Sequence, residues 1–266
     1  MRYLLRDGVR LTYERREGAR APILFVHGWC CDHTYFAPQV EWFTGRGHGV
    51  VAVDLRGHGE SDQPRQSYAM SVFADDLAWM IGQLKLATPI VVGHSMGGIV
   101  AYDFAIRYPG LPAAVVMIDA AVALPAAALG LIAPFLELLR GPDYRAALRR
   151  YVETALFIPT DDPERKTRIL DGMSSAPQHV LVSAFEGLRD YEAQPGLAVP
   201  GLYIAAGEPT PRSDMSRLQV LAPDLVNGRT VGAGHFCQLE VPEQVNAMIE
   251  RFLINLQKRN NEDPGR

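Results

Sequence analysis

The sequence predicts an α/β fold in which a doubly wound, mostly parallel sheet carries an all-helical insertion. Short runs that are apolar on both faces recur along the chain, and segments of helical periodicity lie between them. Such runs are typical of parallel strands that helices cover on both sides. From about residue 123 to residue 195 the alternation stops and only helical patterns remain. The alternation indicates a doubly wound core, and the helical stretch indicates an insertion between two of its strands.

The strands are predicted from apolar patterning, in chain order. Residues 10–14 alternate between apolar and polar side chains, as a half-exposed strand does. Continuous apolar runs predict further strands at residues 22–26, 50–53, 90–92, 113–118 and 202–206. A short strand at residues 229–231 is predicted before a last helix at residues 242–253.

Apolar residues at helical spacing predict core helices at residues 68–85 and 96–106. The insertion reads as four helices, at residues 129–139, 144–157, 163–173 and 179–187. An insertion of this kind would lie over the carboxyl ends of the strands, where ligands bind, so we interpret it as a cap. The predicted domains are a core at residues 1–122 and 196–256, a helical cap at residues 123–195 and a polar C-terminal tail at residues 257–266.

The composition excludes several classes of protein. Among 266 residues, 26 are Lys or Arg and 30 are Asp or Glu, so the formal net charge is −4, and 48% of positions are apolar. A weakly acidic chain lacks the excess of positive charge with which proteins neutralise nucleic-acid phosphates. The apolar content is also too high for a disordered chain. We therefore expect a globular protein that binds no nucleic acid.

One apolar stretch has the length of a membrane span. Residues 111–136 contain a single charged side chain, that of Asp119. Pro112, Pro125 and Pro134 interrupt the stretch, and a β-branched run in its first half is followed by a separate helical pattern. The sequence therefore predicts a strand and then a helix here, and no membrane partner.

The three cysteines are Cys30, Cys31 and Cys237. They are too few for a disulfide framework, and no Cys/His spacing typical of a metal site is present, so we interpret them as packing thiols. The first 18 residues carry charges every few positions and lack an apolar leader. A cytoplasmic protein without metal or cofactor is expected, and the oligomeric state stays open, a homodimer included.

The strongest motif is Gly-His-Ser-Met-Gly at residues 93–97, which fits the pattern G-x-S-x-G. It lies between a predicted strand and a predicted helix, as a nucleophile elbow must. The turn is so sharp that only small residues fit two positions before and two positions after the serine. Ser95 is therefore the candidate nucleophile.

A serine nucleophile needs a general base, and His235 is the candidate among seven histidines. It follows the short strand at residues 229–231 and precedes the last helix, and Gly232 and Gly234 allow the loop between them to turn toward the edge of the sheet. The other histidines read as turn, packing or surface residues.

The acid that orients His235 has three candidates: Asp119, Glu208 and Asp214. Asp119 follows the apolar run at residues 113–118, where a lone buried carboxylate is costly unless it is paired. Asp214 could equally cap the helix Met215–Leu221. We favour Asp119, with the other two kept as alternatives.

Two backbone N–H groups are needed to stabilise the anion of a tetrahedral intermediate. Met96 follows the nucleophile at the start of a helix, where the helix dipole also favours an anion. Gly28 allows the loop after the strand at residues 22–26 to turn inward, so the Trp29 N–H is the second candidate.

Four motifs together resemble the α/β-hydrolase superfamily. They are HGW at residues 27–29, DLRGHGESD at residues 54–62, GHSMGG at residues 93–98 and GAGHF at residues 232–236, in the family's order. The resemblance implies the α/β-hydrolase fold, and it implies that the second motif is structural. One departure stands out: Thr210 occupies the position where the family usually has its acid. Some similar relatives place the acid after the preceding strand, which would be Asp119 here.

The sequence thus predicts a serine hydrolase for an ester, thioester or lactone of a small-to-medium apolar substrate, with Ser95, His235 and Asp119 as the catalytic residues. Carbon–carbon bond hydrolases and cofactor-free oxygenases or haloperoxidases share this fold and remain alternatives. A rival of another class is a catalytically silent protein that binds a ligand in the same pocket.

Overall fold

A central sheet of eight strands organises the protein, whose structure is a computed structural model that describes residues 1–262. The strands lie in the order β1-β2-β4-β3-β5-β6-β7-β8. Strands β1 and β2 pair antiparallel, β2 pairs antiparallel with β4, and all later pairs are parallel. The strands are β1 (Arg2–Arg6), β2 (Val9–Arg16), β3 (Arg20–Val26), β4 (His48–Val53), β5 (Ile90–His94), β6 (Ala114–Ile118), β7 (Gly201–Ala205) and β8 (Val226–Arg229).

Alternate residues of the central strands enter two separate cores. Leu24, Val91 and Val115 lie in the core on one face of the sheet, and their neighbours Ile23, Val92 and Val116 lie in the core on the other. Successive side chains of a strand point to opposite faces, so a strand that is covered on both faces must be apolar throughout. The predicted doubly wound, mostly parallel sheet is confirmed.

Helices cover both faces, and four of them form the insertion between β6 and β7. The core helices are a 3₁₀ helix (His33–Phe36), α1 (Ala37–Thr44), α2 (Met70–Leu84), α3 (Met96–Arg107), α8 (Met215–Leu221), α9 (Cys237–Glu240) and α10 (Pro242–Glu262). The insertion helices are α4 (Ala126–Arg140), α5 (Tyr144–Ala155), α6 (Pro163–Ser174) and α7 (Gln178–Arg189). We call residues 123–195 the cap.

The structure differs from the sequence-based expectation at both edges of the sheet. Strand β1 was not predicted, because its sequence Arg-Tyr-Leu-Leu-Arg carries charges at both ends and is largely exposed. Strand β8 ends at Arg229, where the predicted strand was to begin. An edge strand contacts the core on few side chains, so it lacks the apolar run that reveals a central strand.

Two further predictions concern the C-terminal tail and the apolar stretch at residues 111–136. Helix α10 runs to Glu262 and thus includes residues 257–262 of the segment expected as a polar tail, while residues 263–266 lie outside the described residues. The apolar stretch at residues 111–136 contains β6 and the first part of α4. Across residues 1–262, none of the helices combines the length and the apolar character that a membrane span requires.

Candidate active site

Ser95 lies at a strained turn between β5 and α3. Its backbone has φ +54° and ψ −121°, a combination that costs energy in a residue with a Cβ. A Cβ on Gly93 would lie 2.0 Å from the carbonyl oxygen of Gly97, and one on Gly97 would lie 2.1 Å from that of Val26. Both positions therefore require glycine, and the turn presents Ser95 at the carboxyl end of β5.

His235 lies in the loop between β8 and α9, buried to 4% exposure. Its Nδ1 is 2.6 Å from Oδ2 of Asp119. Because a carboxylate only accepts, Nδ1 carries a proton, and in the neutral imidazole Nε2 then has the free lone pair that a general base needs. His94 Nε2 donates to the backbone carbonyl oxygen of His235 at 2.8 Å, so the residue before the nucleophile also fixes the loop of the base.

The Ser95 hydroxyl and His235 line the same cavity, and the rings of His94 and His235 have centroids 4.7 Å apart. Within residues 1–262, the hydroxyl of Ser95 makes no hydrogen bond with the imidazole. Such a bond often forms only when substrate is bound. The nucleophile and the base therefore share one chamber without yet being engaged.

Asp119 directly follows β6 with φ +44° and is 2% exposed. Its Oδ1 accepts from the Ala206 N–H at 3.0 Å, and its Oδ2 accepts from His235 and, at 3.4 Å, from Nε of Arg212. Burial alone would raise the pKa of this carboxyl. The hydrogen bond and charge of His235, the charge of Arg212 and the Ala206 N–H outweigh burial and hold the pKa of Asp119 below its usual value.

The other two candidate acids have partners elsewhere. Glu208 accepts from Nη2 of Arg212 at 2.7 Å. Asp214 caps helix α8 and accepts from the N–H groups of Ser216 and Arg217, at 3.0 Å each. The structure thus brings only Asp119, of the three, against His235, and Thr210 is exposed.

The two candidate oxyanion donors belong to segments next to Ser95. A Cβ on Gly28 would lie 3.1 Å from Cβ of Ser95, so the loop that carries Trp29 passes directly beside the nucleophile. Met96 is the first residue of α3. Neither the Trp29 N–H nor the Met96 N–H donates to another residue of the described chain. Both groups are therefore available to an anion at Ser95.

A cavity of about 500 Å³ lies between Ser95 and the cap. Its walls are mainly apolar and include four aromatic rings that contact one another: the centroids of Trp29 and Phe185 are 4.9 Å apart, and those of Phe135 and Tyr151 are 4.4 Å apart. The Trp29 indole also donates to the carbonyl oxygen of Leu181 in α7 at 3.0 Å. The oxyanion loop is thereby tied to the cap.

Arg212 is the residue of this site that sequence reasoning missed. Its guanidinium contacts Asp119 and Glu208 and donates through Nη2 to the carbonyl oxygen of Ala155 in α5 at 2.6 Å. Burial of a carboxylate after β6 requires compensation, and an arginine in the loop after the neighbouring strand was the available signal.

The structure offers a single cluster, among the described residues, with the spacing of metal ligands: Asp32, His33 and Asp54, whose ligand atoms lie within 4.8 Å of one another. These atoms already have local partners. Asp54 accepts from the backbone N–H and Nδ1 of His33 and from the Glu60 N–H, and Asp32 caps the 3₁₀ helix. We interpret the cluster as a structural cap.

The cysteines are buried and unpaired. Burial raises the pKa of all three thiols well above its ordinary value, which opposes formation of the reactive thiolate. Packing is therefore sufficient to explain them.

Comparison with known proteins places this geometry in a family. A model of the alpha/beta hydrolase family matches residues 23–248. The chain is 29% identical over 261 residues to the AB hydrolase superfamily protein YisY of Bacillus subtilis (strain 168), covering 88% of this chain and 92% of that protein.

Two solved structures show the same fold. One is a thermophilic esterase from Thermogutta terrifontis, with a TM-score of 0.84, 25% identity and coverage of 96% of this chain and 99% of that one. The other is the enol-lactonase from Burkholderia xenovorans LB400, with a TM-score of 0.83, 22% identity and coverage of 95% and 100%.

Proposed function

The chain belongs to the alpha/beta hydrolase family, and we propose that it is a serine hydrolase that cleaves an ester, thioester or lactone through an acyl-enzyme intermediate. The observation that carries the proposal is the contact of 2.6 Å between His235 Nδ1 and Asp119, in the same chamber as Ser95 on its strained turn. A base oriented by a buried carboxylate beside a presented serine is the arrangement that activates a hydroxyl nucleophile.

In the first half of the reaction, Ser95 Oγ attacks the carbonyl carbon of the substrate and its proton passes to His235 Nε2. Asp119 stabilises the imidazolium that results. The carbonyl oxygen becomes an anion that the N–H groups of Trp29 and Met96 stabilise. The imidazolium then protonates the leaving alcohol or thiol, and the acyl group stays on Ser95.

In the second half, water replaces the alcohol. His235 Nε2 takes a proton from the water as its oxygen attacks the acyl carbon, and the same two N–H groups hold the second anion. Collapse of that intermediate returns the proton to Ser95 Oγ and releases the carboxylic acid. Because the proton returns to Ser95 Oγ and His235 is again neutral, the enzyme ends in its starting state.

The walls of the cavity favour a small-to-medium substrate with an apolar acyl or alcohol portion, since its volume is about 500 Å³ and its lining is dominated by aliphatic and aromatic side chains. The similar Thermogutta esterase supports an ester substrate. A reducing, cytoplasmic setting is part of the proposal, because the three cysteines are free thiols.

Competing functions are less well supported. Dehalogenases and epoxide hydrolases of this fold need a carboxylate nucleophile, and position 95 is a serine. A silent ligand-binding relative has no need of a buried carboxylate held against the histidine by an arginine, since burial of that group is costly. Carbon–carbon bond hydrolases and oxygenases share the fold, and no residue described above favours them over ester hydrolysis.

Two assays test the proposal: labelling with a fluorophosphonate probe, and turnover of p-nitrophenyl esters of graded acyl length. We expect covalent labelling at Ser95 and turnover of at least one ester. The variant Ser95→Ala should retain the fold, lose the labelling and lose about 10⁴-fold or more in kcat. Absence of labelling in the wild type, or retention of about a tenth of its activity in Ser95→Ala, would contradict the proposal.

A further inference from the structure

The connection between α5 and α6 of the cap is bonded to the loop that carries His235. The His235 N–H donates to the carbonyl oxygen of Leu156 at 3.2 Å. The Thr160 hydroxyl donates to the carbonyl oxygen of Gly232 at 3.3 Å. The Gly234 N–H donates to Oδ1 of Asp161 at 2.8 Å. Three residues of the loop therefore have a partner in one short segment of the cap.

Asp161 is the charged member of this segment and is 8% exposed. Its second oxygen, Oδ2, accepts from the Ile158 N–H at 2.8 Å. Within the described chain it forms no ion pair with a lysine or arginine, so backbone N–H groups stabilise its charge. Both oxygens act as acceptors, which the amide of an asparagine at this position could not match, since its NH₂ group only donates.

The partner position is shaped to match. A Cβ on Gly234 would lie 2.5 Å from Oδ2 of Asp161, so glycine is required for the carboxylate to reach the backbone of the loop. Gly232 has φ +76°, a conformation that glycine adopts without strain. A loop with two glycines loses much conformational entropy when it is fixed, so an external clamp has a large effect on its order.

We propose that Asp161, a cap residue, is a positioning residue for His235. This inference rests on the proposed function, because His235 is the base only in that function. With Asp161 bound, three backbone groups of two consecutive residues have fixed partners: the Gly234 N–H, the His235 N–H and the His235 carbonyl oxygen, which accepts from His94. The imidazole then presents Nδ1 to Asp119 and Nε2 to the chamber of Ser95.

The test compares Asp161→Asn with Asp162→Asn in the full-length protein. An amide at position 161 accepts one N–H and turns its own NH₂ against the other donor, so the clamp fails. Asp162 makes the matched control, since it carries the same charge one residue further and its side chain accepts from the Arg165 N–H at the start of α6. We expect kcat to fall about 10- to 100-fold in Asp161→Asn, because a small misplacement of a catalytic group costs up to ~10²-fold. The KM of Asp161→Asn should change little. The control variant Asp162→Asn should keep kcat within about twofold of the wild type, because its substitution does not displace a catalytic group.

A second readout needs no substrate. The Nδ1 proton between His235 and Asp119 should give a low-field resonance in the proton NMR spectrum, and Asp119→Asn should remove this resonance and thereby assign it. This resonance should shift or broaden in Asp161→Asn and stay unchanged in Asp162→Asn. Wild-type protein without esterase activity would refute the proposed function, whereas an unchanged resonance and an unchanged kcat in Asp161→Asn would overturn the role of Asp161 alone.

If Asp161→Asn does not fold, Asp161→Glu takes its place, because it keeps the charge but lengthens the side chain, so that its carboxylate cannot occupy the same position between the Ile158 N–H and the Gly234 N–H. We then expect a smaller loss of kcat with unchanged KM and a shifted resonance. A wild-type kcat and a wild-type resonance in Asp161→Glu would overturn the inference.

Discussion

The carboxyl ends of two neighbouring strands, β6 and β7, contribute groups of opposite charge to the surroundings of His235. Strand β6 is followed directly by Asp119, the carboxylate that contacts His235. The loop after β7 carries Arg212, whose guanidinium contacts that same carboxylate, and Glu208, which is paired with Arg212. One strand end supplies the carboxylate that contacts His235, and the other supplies its counter-ion.

The difference teaches that a carboxylate at the end of one strand can be supported by the loop that follows the adjacent strand. Neighbouring strands lie about 4.8 Å apart, so a carboxylate can reach the same imidazole from either end. The end of β7 still contributes here, since the Ala206 N–H donates to Oδ1 of Asp119. Thr210, at the position where the resemblance to the family places its usual acid, is exposed.

The largest effect that bears on this comparison is expected from His235→Ala, alone and combined with Asp119→Asn. Loss of the base should lower kcat about 10⁴-fold or more. Since Asp119 acts through His235, adding Asp119→Asn should cost little beyond that. A further loss of about tenfold in the double variant, measured as kcat for a p-nitrophenyl ester, would mean that Asp119 acts on the substrate by another route.

The next largest effect is expected from Arg212→Met, which removes the contact of the guanidinium with Asp119. Hydrogen bonds to charged groups contribute about 1.5–3 kcal/mol, so kcat should fall about tenfold. Arg217→Met is the matched control, because Arg217 lies in α8 and its guanidinium pairs, among the described residues, with Glu192 alone, at 4.0 Å. Equal kcat values in the two variants would show that Arg212 does not support the site.

The stability of Arg212→Met should also depend on pH in a defined direction. Asp119 has a lowered pKa in the folded protein, so its contribution to the free energy of unfolding is present above its usual pKa and is lost as pH falls through the folded value. The free energy of unfolding of Arg212→Met should therefore lie furthest below that of the wild type at neutral pH, and the difference between the two should shrink below pH ~4. Urea unfolding at both pH values measures it.

The smallest effect is expected from Asp214→Asn, at the start of α8. Its Oδ1 accepts from two backbone N–H groups of the helix, and the amide oxygen of Asn can accept in its place, so this variant should lose at most about 1 kcal/mol of its free energy of unfolding. Its kcat should equal that of the wild type, because Asp214 does not contact His235. A lower kcat in this variant would contradict its assignment as a cap.

The sequence allowed prediction of the residues whose local pattern is demanding. The turn at Ser95 needs glycines at fixed spacing, and an aspartate that ends a buried strand needs a partner, so Ser95 and Asp119 could be proposed before any geometry. Strand β8 was displaced because an edge strand has little apolar pattern.

The residues that hold the site residues in place could not be predicted from local sequence patterns. Arg212 reaches Asp119 across 93 residues, and Asp161 reaches Gly234 across 73 residues. Contacts of this separation are set by tertiary packing, and neither arginine nor aspartate carries a periodic signal in a loop. The helices of the cap were predicted from their pattern, but the contacts of the cap with the catalytic loop were not.

The claim that the acid lies after β6 is tested most directly by kcat and KM of Asp119→Asn beside Glu208→Gln, on one ester at one pH. Without its acid, His235 can adopt the wrong tautomer, so the account predicts a loss of about 10²- to 10⁴-fold in kcat for Asp119→Asn without a matching rise in KM. Glu208→Gln should lose far less, since Glu208 contacts Arg212 and not His235. A large loss in Glu208→Gln together with a near-normal kcat in Asp119→Asn would contradict the account.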